Sequence, residues 1–376
     1  MNQSLGLYLH IPFCLQKCRY CDFCSFPWQN ADAMEAYTDE LCRRLGAWSE
    51  ACRAHRVDTV YFGGGTPTLL PLSCFERLMG CLADRYDLAP DCEITCECNP
   101  ATADLPYLSA LRGLGINRLS IGLQSVHDRE LRLLGRAHSY GDFRSLFAAA
   151  RRAGFDNISA DLMYGIPEQT ADSFRQSLTS LAELAPEHIS AYGLKIEEGT
   201  PFAAMADRLP LPDEDEEFYM YCLCGQVLEK YGYRKYEISN FAKPGKESRH
   251  NLRYWKRQDY LGFGVAAHSC FEGARFGNSR DITAFLAGED ITAERTRLTE
   301  QDKKSEVLML GLRLTEGLEL SLLARLWQKT EAQAEDIVLP WLRQGFLKRE
   351  NGRLSFTDKG FFVSNTILSD LIDLIP

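Results

Sequence analysis

No stretch of the 376 residues is long and apolar enough to cross a membrane, since a helical span needs about 20 such residues in a row. Positive charge is also short: 42 Lys and Arg stand against 52 Asp and Glu, a net charge of −10. That balance argues against a general nucleic-acid or membrane-surface binder. The opening residues do not read as a secretory signal, so no leader is expected and the cysteines are expected to stay reduced in the cytoplasm rather than pair. The segment Gly63-Gly64-Gly65-Thr66-Pro67 lacks the lysine of a phosphate-binding loop and the spacing of a dinucleotide fingerprint. Negative charge does not gather in a tail. Its one dense run, residues 213–217, is expected at a helix start, where the helix dipole favours it.

What the chain does have is Cys14, Cys18 and Cys21 in a C-x3-C-x2-C spacing. They follow an apolar run at residues 7–13 that reads as a short buried strand ended by proline. Soft thiolates converging at a strand end suit a cubane iron–sulfur cluster. Three cysteines on four irons leave one iron without a protein ligand. Structural zinc is the rival reading and would need a fourth ligand, which Cys24 or His10 could supply. The remaining cysteines fall in helical or strand patterns and are expected in the core.

Strand patterns at residues 59–62, 93–97, 118–122, 157–163 and 188–192 follow the first, separated by helical patterns, the first of these at 32–55. Alternation of this kind implies an α/β fold with a parallel sheet. In barrels of such units chemistry gathers at the C-terminal ends of the strands. Gly64, Gly65, Glu97 and Gln124 lie at such ends, and Asp161 lies in the fifth strand. A small second domain is expected over 291–376, after a larger one over 1–290. Its helices at 302–312, 318–327 and 331–344, the last holding Pro340, precede a hairpin with an Asn351-Gly352 turn. Helices followed by such a hairpin read as a winged helix. The wing carries Lys348, Arg349 and Arg353, but no basic stripe supports it, so nucleic acid is not expected as a partner.

The cysteine stretch resembles the signature of radical S-adenosylmethionine (SAM) proteins, with Tyr20 as the aromatic residue before the last cysteine. Tyr8-Leu-His-Ile-Pro-Phe-Cys14 and Cys21-Asp-Phe23 are similar to the branch that holds oxygen-independent coproporphyrinogen III oxidase and its paralogue, the radical SAM haem chaperone. That resemblance implies a partial (β/α)6 barrel, a [4Fe–4S] cluster, and SAM chelating the open iron for reductive cleavage to a 5′-deoxyadenosyl radical. It also implies a reductant such as flavodoxin or ferredoxin. By the same resemblance Tyr8, Gly64 and Glu97 would bind SAM. Tyr20, Gly65, Thr66, Gln124, Arg136, Asp161 and Lys195 match positions lining a second SAM site in the oxidase. Read without the family, Arg136 and Asp161 make an interior ion pair.

His250-Asn-Leu-Arg-Tyr254-Trp255 resembles the haem-binding motif of the chaperones, and imidazole is a common axial ligand. His268 and Cys270 are weaker axial candidates. The reading is therefore a haem chaperone that passes haem to an acceptor apo-haem protein, with the oxidase as the alternative. Three features favour the chaperone. The first strand begins almost at Met1, Phe23 stands where the oxidase has a further cysteine, and the segment from His250 is present.

Overall fold

The computed structural model describes residues 3–27 and 30–376. The first half alternates β1 (Gln3–Ile11), α1 (Ala31–Trp48), β2 (His55–Gly64), α2 (Leu72–Arg85), β3 (Asp87–Cys98), α3 (Leu105–Gly113) and β4 (Arg118–Gln124). It continues with α4 (Asp128–Leu134), α5 (Tyr140–Arg152), β5 (Ile158–Tyr164), α6 (Ala171–Glu183) and β6 (His188–Gly193). These six strands are parallel and lie in chain order. Crossovers between parallel strands are right-handed as a rule, which sets successive helices on one face of such a sheet. Leu5, Leu7, Leu9, Val60, Phe62, Leu119 and Ile121 are fully buried, or within 1 % of it, against that helical layer. The helices begin where the sequence supplies caps. Ser139, Thr170 and Asp213 each close a capping box at the start of α5, α6 and α7 (Glu214–Leu228). The acidic run at 213–217 therefore sits at a helix start, as its charge pattern predicts.

Two differences concern the barrel's rim. The first helix ends at Trp48, not at residue 55, because His55 already pairs with Gln3 in the parallel ladder of β1 and β2. The sheet also continues beyond the six strands. After β7 (Arg234–Lys235), β8 (Asn240–Ala242) and α8 (Arg249–Trp255), β9 (Tyr260–Phe263) runs parallel to β1 on its free side. Antiparallel β10 (His268–Phe271) and β11 (Ala274–Asn278) follow, then α9 (Ile282–Leu286) and β12 (Thr292–Arg297). Strands β8 and β7 extend the opposite edge, giving twelve strands in one open sheet. The sheet thus runs past residue 290, where the first domain is expected to end.

The C-terminal part is winged-helix-like: α10 (Glu300–Gly311), β13 (Leu318–Glu319), α11 (Leu320–Leu326), α12 (Glu331–Arg343) and the hairpin β14 (Leu347–Glu350) and β15 (Arg353–Phe356). Asn351 and Gly352 both hold positive φ, 51° and 77°, as a type I′ turn requires. Pro340 lies within α12 without ending it. Two further helices, α13 (Asp358–Phe362) and α14 (Ser364–Ile372), have no counterpart in the sequence reading. They dock the module on the barrel. Lys235 pairs with Asp358 at 2.6 Å, and the rings of Phe218 and Tyr221 pack on Phe362.

Candidate functional site

One cavity at the C-terminal ends of the barrel strands is lined by Cys14, Cys18 and Cys21 together with the Gly64–Thr66 turn and Glu97. All three thiols are free and half-buried. The loop that carries them is pinned at both ends: Cys14 N–H donates to Phe26 O at 2.9 Å, and Arg19 N–H to Leu134 O at 3.0 Å. Thr66 Oγ1 lies 3.8 Å from Cys14 Sγ, and Arg136 Nη1 donates to Cys18 Sγ at 3.7 Å. Burial pushes the Cys14 and Cys21 thiols up from their ordinary range.

The two side chains offered as a fourth zinc ligand are elsewhere. Cys24 is buried and lines a different cavity. His10 spends both nitrogens: Nε2–H donates to Cys24 O at 2.8 Å, and Nδ1 accepts from Tyr8 Oη at 3.0 Å. Among the described residues no group of three or more His, Cys, Asp or Glu surrounds a point where one metal ion could sit. A zinc ion needs that convergence. A cubane instead bonds each thiolate to a different iron and spreads the ligands apart. The donor set therefore fits the cluster.

Glu97, near the end of β3, accepts from Tyr61 Oη at 2.9 Å and from the Gly64 N–H at 3.0 Å. Desolvation in the barrel interior pushes its carboxyl up to about 7 against these two donors. The glycines are steric necessities. Gly64 holds φ 115°, and a Cβ there would meet the His10 ring at 2.6 Å. A Cβ on Gly65 would stand 2.6 Å from Phe13 O. Backbone and carboxylate at the ends of β2 and β3 thus present a narrow polar ledge beside the thiols. Tyr8 does not line this cavity. Its ring lies behind the ledge, stacked on Tyr61 with centroids 6.0 Å apart, and its hydroxyl is committed to His10.

Tyr20, Gln124, Arg136 and Asp161 do line the same cavity. Gln124 takes φ 73°, an unusual conformation for a side chain with a Cβ, where β4 turns away from the barrel. Arg136 donates through Nη2 to Gly122 O at 2.7 Å. Among the described residues no ion pair joins it to Asp161, so the bland reading of those two residues does not hold. Burial raises the Asp161 carboxyl, while the Ser190 hydroxyl and the Arg118 and Arg136 guanidiniums pull it back. Lys195 is set apart. It lines the neighbouring cavity of about 750 Å³ between the barrel mouth and α13–α14, which also takes in Tyr20, Cys21, Tyr192 and Arg313. Tyr61 and Ser120 went unread in the sequence. Tyr61 pairs in register with Tyr8, so strand alternation put it on the same face as Tyr8.

His250 is not offered to a ligand. It is 1 % exposed on α8. Its Nδ1 is 2.8 Å from Thr59 Oγ1 and its Nε2 2.8 Å from Tyr254 Oη. Its backbone N–H donates to Glu93 Oε1 at 3.0 Å. With both ring nitrogens spent on the hydroxyls of buried Thr59 and half-buried Tyr254, the axial role expected from the sequence is not available here. The physical reason is simple: α8 packs this ring inward, against β2. Of the weaker candidates, Cys270 is buried, whereas His268 is exposed.

Residues 8–181 match the radical SAM superfamily and residues 298–363 the HemN C-terminal domain. A haem chaperone HemW from Synechocystis is 35% identical over 97% of this chain and 95% of its own length. That of Escherichia coli is 33% identical over 97% of both. The bovine radical S-adenosyl methionine domain-containing protein 1, mitochondrial, is 34% identical over 99% of this chain and 88% of its own. Among solved structures, the E. coli coproporphyrinogen III oxidase, a radical SAM enzyme, superposes with a TM-score of 0.84 at 25% identity, over 99% of this chain and 90% of that one. With the thiol triad, the partial barrel and the C-terminal module all in place, the chain belongs to the radical SAM superfamily and, within it, to the haem-chaperone family akin to oxygen-independent coproporphyrinogen III oxidase.

Proposed function

We propose that this protein is a haem chaperone: it binds haem and hands it to an acceptor apo-haem protein in the cytoplasm. In this reading Cys14, Cys18 and Cys21 hold a [4Fe–4S] cluster, and Gly64 and Glu97 bind SAM beside it, with Tyr8 as a support behind them. The bound cluster would supply one-electron chemistry, fed by a reductant such as flavodoxin or ferredoxin. The chain's own part is to orient the ligand: the Gly64 and Gly65 backbone admits its amino-acid end, and the Glu97 carboxylate accepts from its hydroxyls. The observation that carries the chaperone reading is kinship over nearly the whole length with proteins named haem chaperones.

A second reading is coproporphyrinogen III oxidation. It is favoured by the overlay on the oxidase and by Tyr20, Gln124, Arg136 and Asp161 lining one cavity with the thiols. Lys195, the remaining match to the oxidase's second SAM site, is not in that cavity. One experiment separates the two. The anaerobically reconstituted protein is titrated with haemin and, in the same preparation, reduced with SAM and coproporphyrinogen III. Haem binding at about micromolar affinity without decarboxylation supports the chaperone. Many turnovers to protoporphyrinogen support the oxidase.

A further inference from the structure

Among the described residues one imidazole is exposed, and it is not in the motif the sequence singles out. Of the seven histidines, His10, His55, His138, His188 and His250 are buried. His127 is half-buried, with Nε2 on Ser173 O at 3.1 Å. His268, at the start of β10, is exposed, and among the described residues neither of its ring nitrogens has a hydrogen-bond partner.

Its setting is specific. His268 pairs across the sheet with Gly277 on β11. A Cβ at 277 would stand 2.8 Å from His268 Nδ1, so the glycine is what lets the ring lie across the strand. The imidazole forms the ridge between two cavities. One, of about 540 Å³, is floored by the antiparallel strands and walled by α10 through Glu306 and Met309. The other, of about 380 Å³, reaches the cluster loop at Phe23 and Cys24. Both volumes fall in the range of about 300–1,000 Å³ usual for small-ligand sites. Tyr260 and His268 line both.

Tyr254 lines the second cavity and meets Tyr260 edge to face, with centroids 4.7 Å apart and planes at 81°. Its hydroxyl is held by His250 Nε2. The motif thus delivers a tyrosine to this groove and keeps its histidine behind as an anchor. Arg280 and its partner Asp22, 3.6 Å away, both line the second cavity, whereas the first holds Arg275 among three carboxylates, Glu294, Asp302 and Glu306. The first cavity is thus acidic on balance and the second is not, so a planar ligand with two carboxylates would direct them toward Arg280.

We propose that His268 is the axial ligand of bound haem, which lies across this groove against Tyr254 and Tyr260 with its propionates on the Arg280 side. The inference rests on the haem-chaperone reading and names the site that reading leaves open. The test is haemin titration of the cluster-loaded protein and of His268→Gly, followed by Soret absorbance, with free imidazole added to the variant. Iron–sulfur absorbance checks that the variant is folded. We expect the wild type to bind one haem, and the variant to lose the wild-type Soret position with at least tenfold weaker binding. Imidazole should restore that position. Diethylpyrocarbonate should label His268 readily without haem and slowly with it. A His268→Gly protein with the wild-type spectrum and affinity, or labelling that haem does not slow, overturns the assignment while leaving the chaperone reading intact. A wild type that binds no haem overturns both.

Discussion

Glu97 offers the sharpest test of the SAM ledge, because its protonation and its proposed role pull in opposite directions. Burial raises its carboxyl from an ordinary 4.5 to about 7, so near neutral pH the free site is an even mixture of acid and carboxylate. A ligand whose hydroxyls donate to Glu97 selects the carboxylate. About a tenth of the site is ionised one pH unit below that midpoint and about nine tenths one unit above, so SAM affinity should rise about tenfold from pH 6 to pH 8, or about 1.4 kcal/mol. Folding stability has the reverse sign. Between 4.5 and about 7 the folded chain keeps a proton that the unfolded chain has lost, so the cofactor-free protein should lose stability as pH rises through that window. Glu237, also pushed to about 7 by burial, adds to the same slope. Glu97→Gln should therefore remove only part of it. In SAM binding the same variant should lose the whole pH dependence and about 1–3 kcal/mol at pH 8, the usual cost of deleting a charged hydrogen-bond partner. The assay is anaerobic calorimetry of SAM on cluster-loaded protein at three pH values. A wild-type affinity that is flat from pH 6 to pH 8, or a Glu97→Gln protein that keeps the slope, would refute the reasoning.

Replacing Cys14, Cys18 or Cys21 by Ala should each abolish the brown absorbance and SAM binding, whereas Cys24→Ala should keep both. Stoichiometric zinc in a colourless reconstituted protein would sink the cluster. Gly65→Ala should cost SAM binding far more than its single methyl suggests, since the new Cβ would press on Phe13 O at 2.6 Å; calorimetry with unchanged affinity would count against the ledge. Random duplex DNA should show no salt-dependent retardation, because Lys348, Arg349 and Arg353 all sit beside Glu350, Glu335 or Glu319 within 3.4 Å.

The barrel was legible because its strands are short apolar runs spaced by amphipathic helices with clear caps, and local pattern is enough to find these. That the three thiols, the Gly64–Thr66 turn and Glu97 share one cavity was legible because the residues sit at successive strand ends, which chain order alone brings together. What sequence could not supply was orientation. The helical pattern after Trp48 continues, yet pairing with β1 ends it, a tertiary demand overriding local propensity. Lys195 sits just past the end of β6, beside the other matched positions in order, yet lines the next cavity because β8 and the C-terminal helices reshape that edge of the mouth. Tyr8 alternates correctly but spends its hydroxyl on His10.

The segment from His250 shows the same limit most clearly and yields the last prediction. Its residues behave as a plug that ties α8 to the first two strands. The Arg249 and His250 N–H groups both donate to Glu93, at 3.1 and 3.0 Å. Arg253, 1 % exposed, pairs with Asp58 and donates to Asp259 O at 2.9 Å. Desolvation holds His250 down to about 3, so its ring is neutral throughout the physiological range and bridges Thr59 and Tyr254 as a plain hydrogen-bonding spacer. Removing it leaves the buried Thr59 hydroxyl and the half-buried Tyr254 hydroxyl short of a partner, each costing up to about 1–3 kcal/mol when fully unsatisfied. His250→Ala should therefore destabilise the fold by roughly 2–4 kcal/mol, less if water fills the gap. Because the ring does not titrate near neutrality, the loss should be equal at pH 6 and pH 8. The Soret position of bound haem should stay at its wild-type wavelength, although freeing Tyr254 should weaken binding. Denaturant unfolding and haemin titration on the same variant decide the matter: full stability with a displaced Soret band would restore His250 as the iron ligand, and lost stability with an unmoved band would leave it as the anchor of the groove.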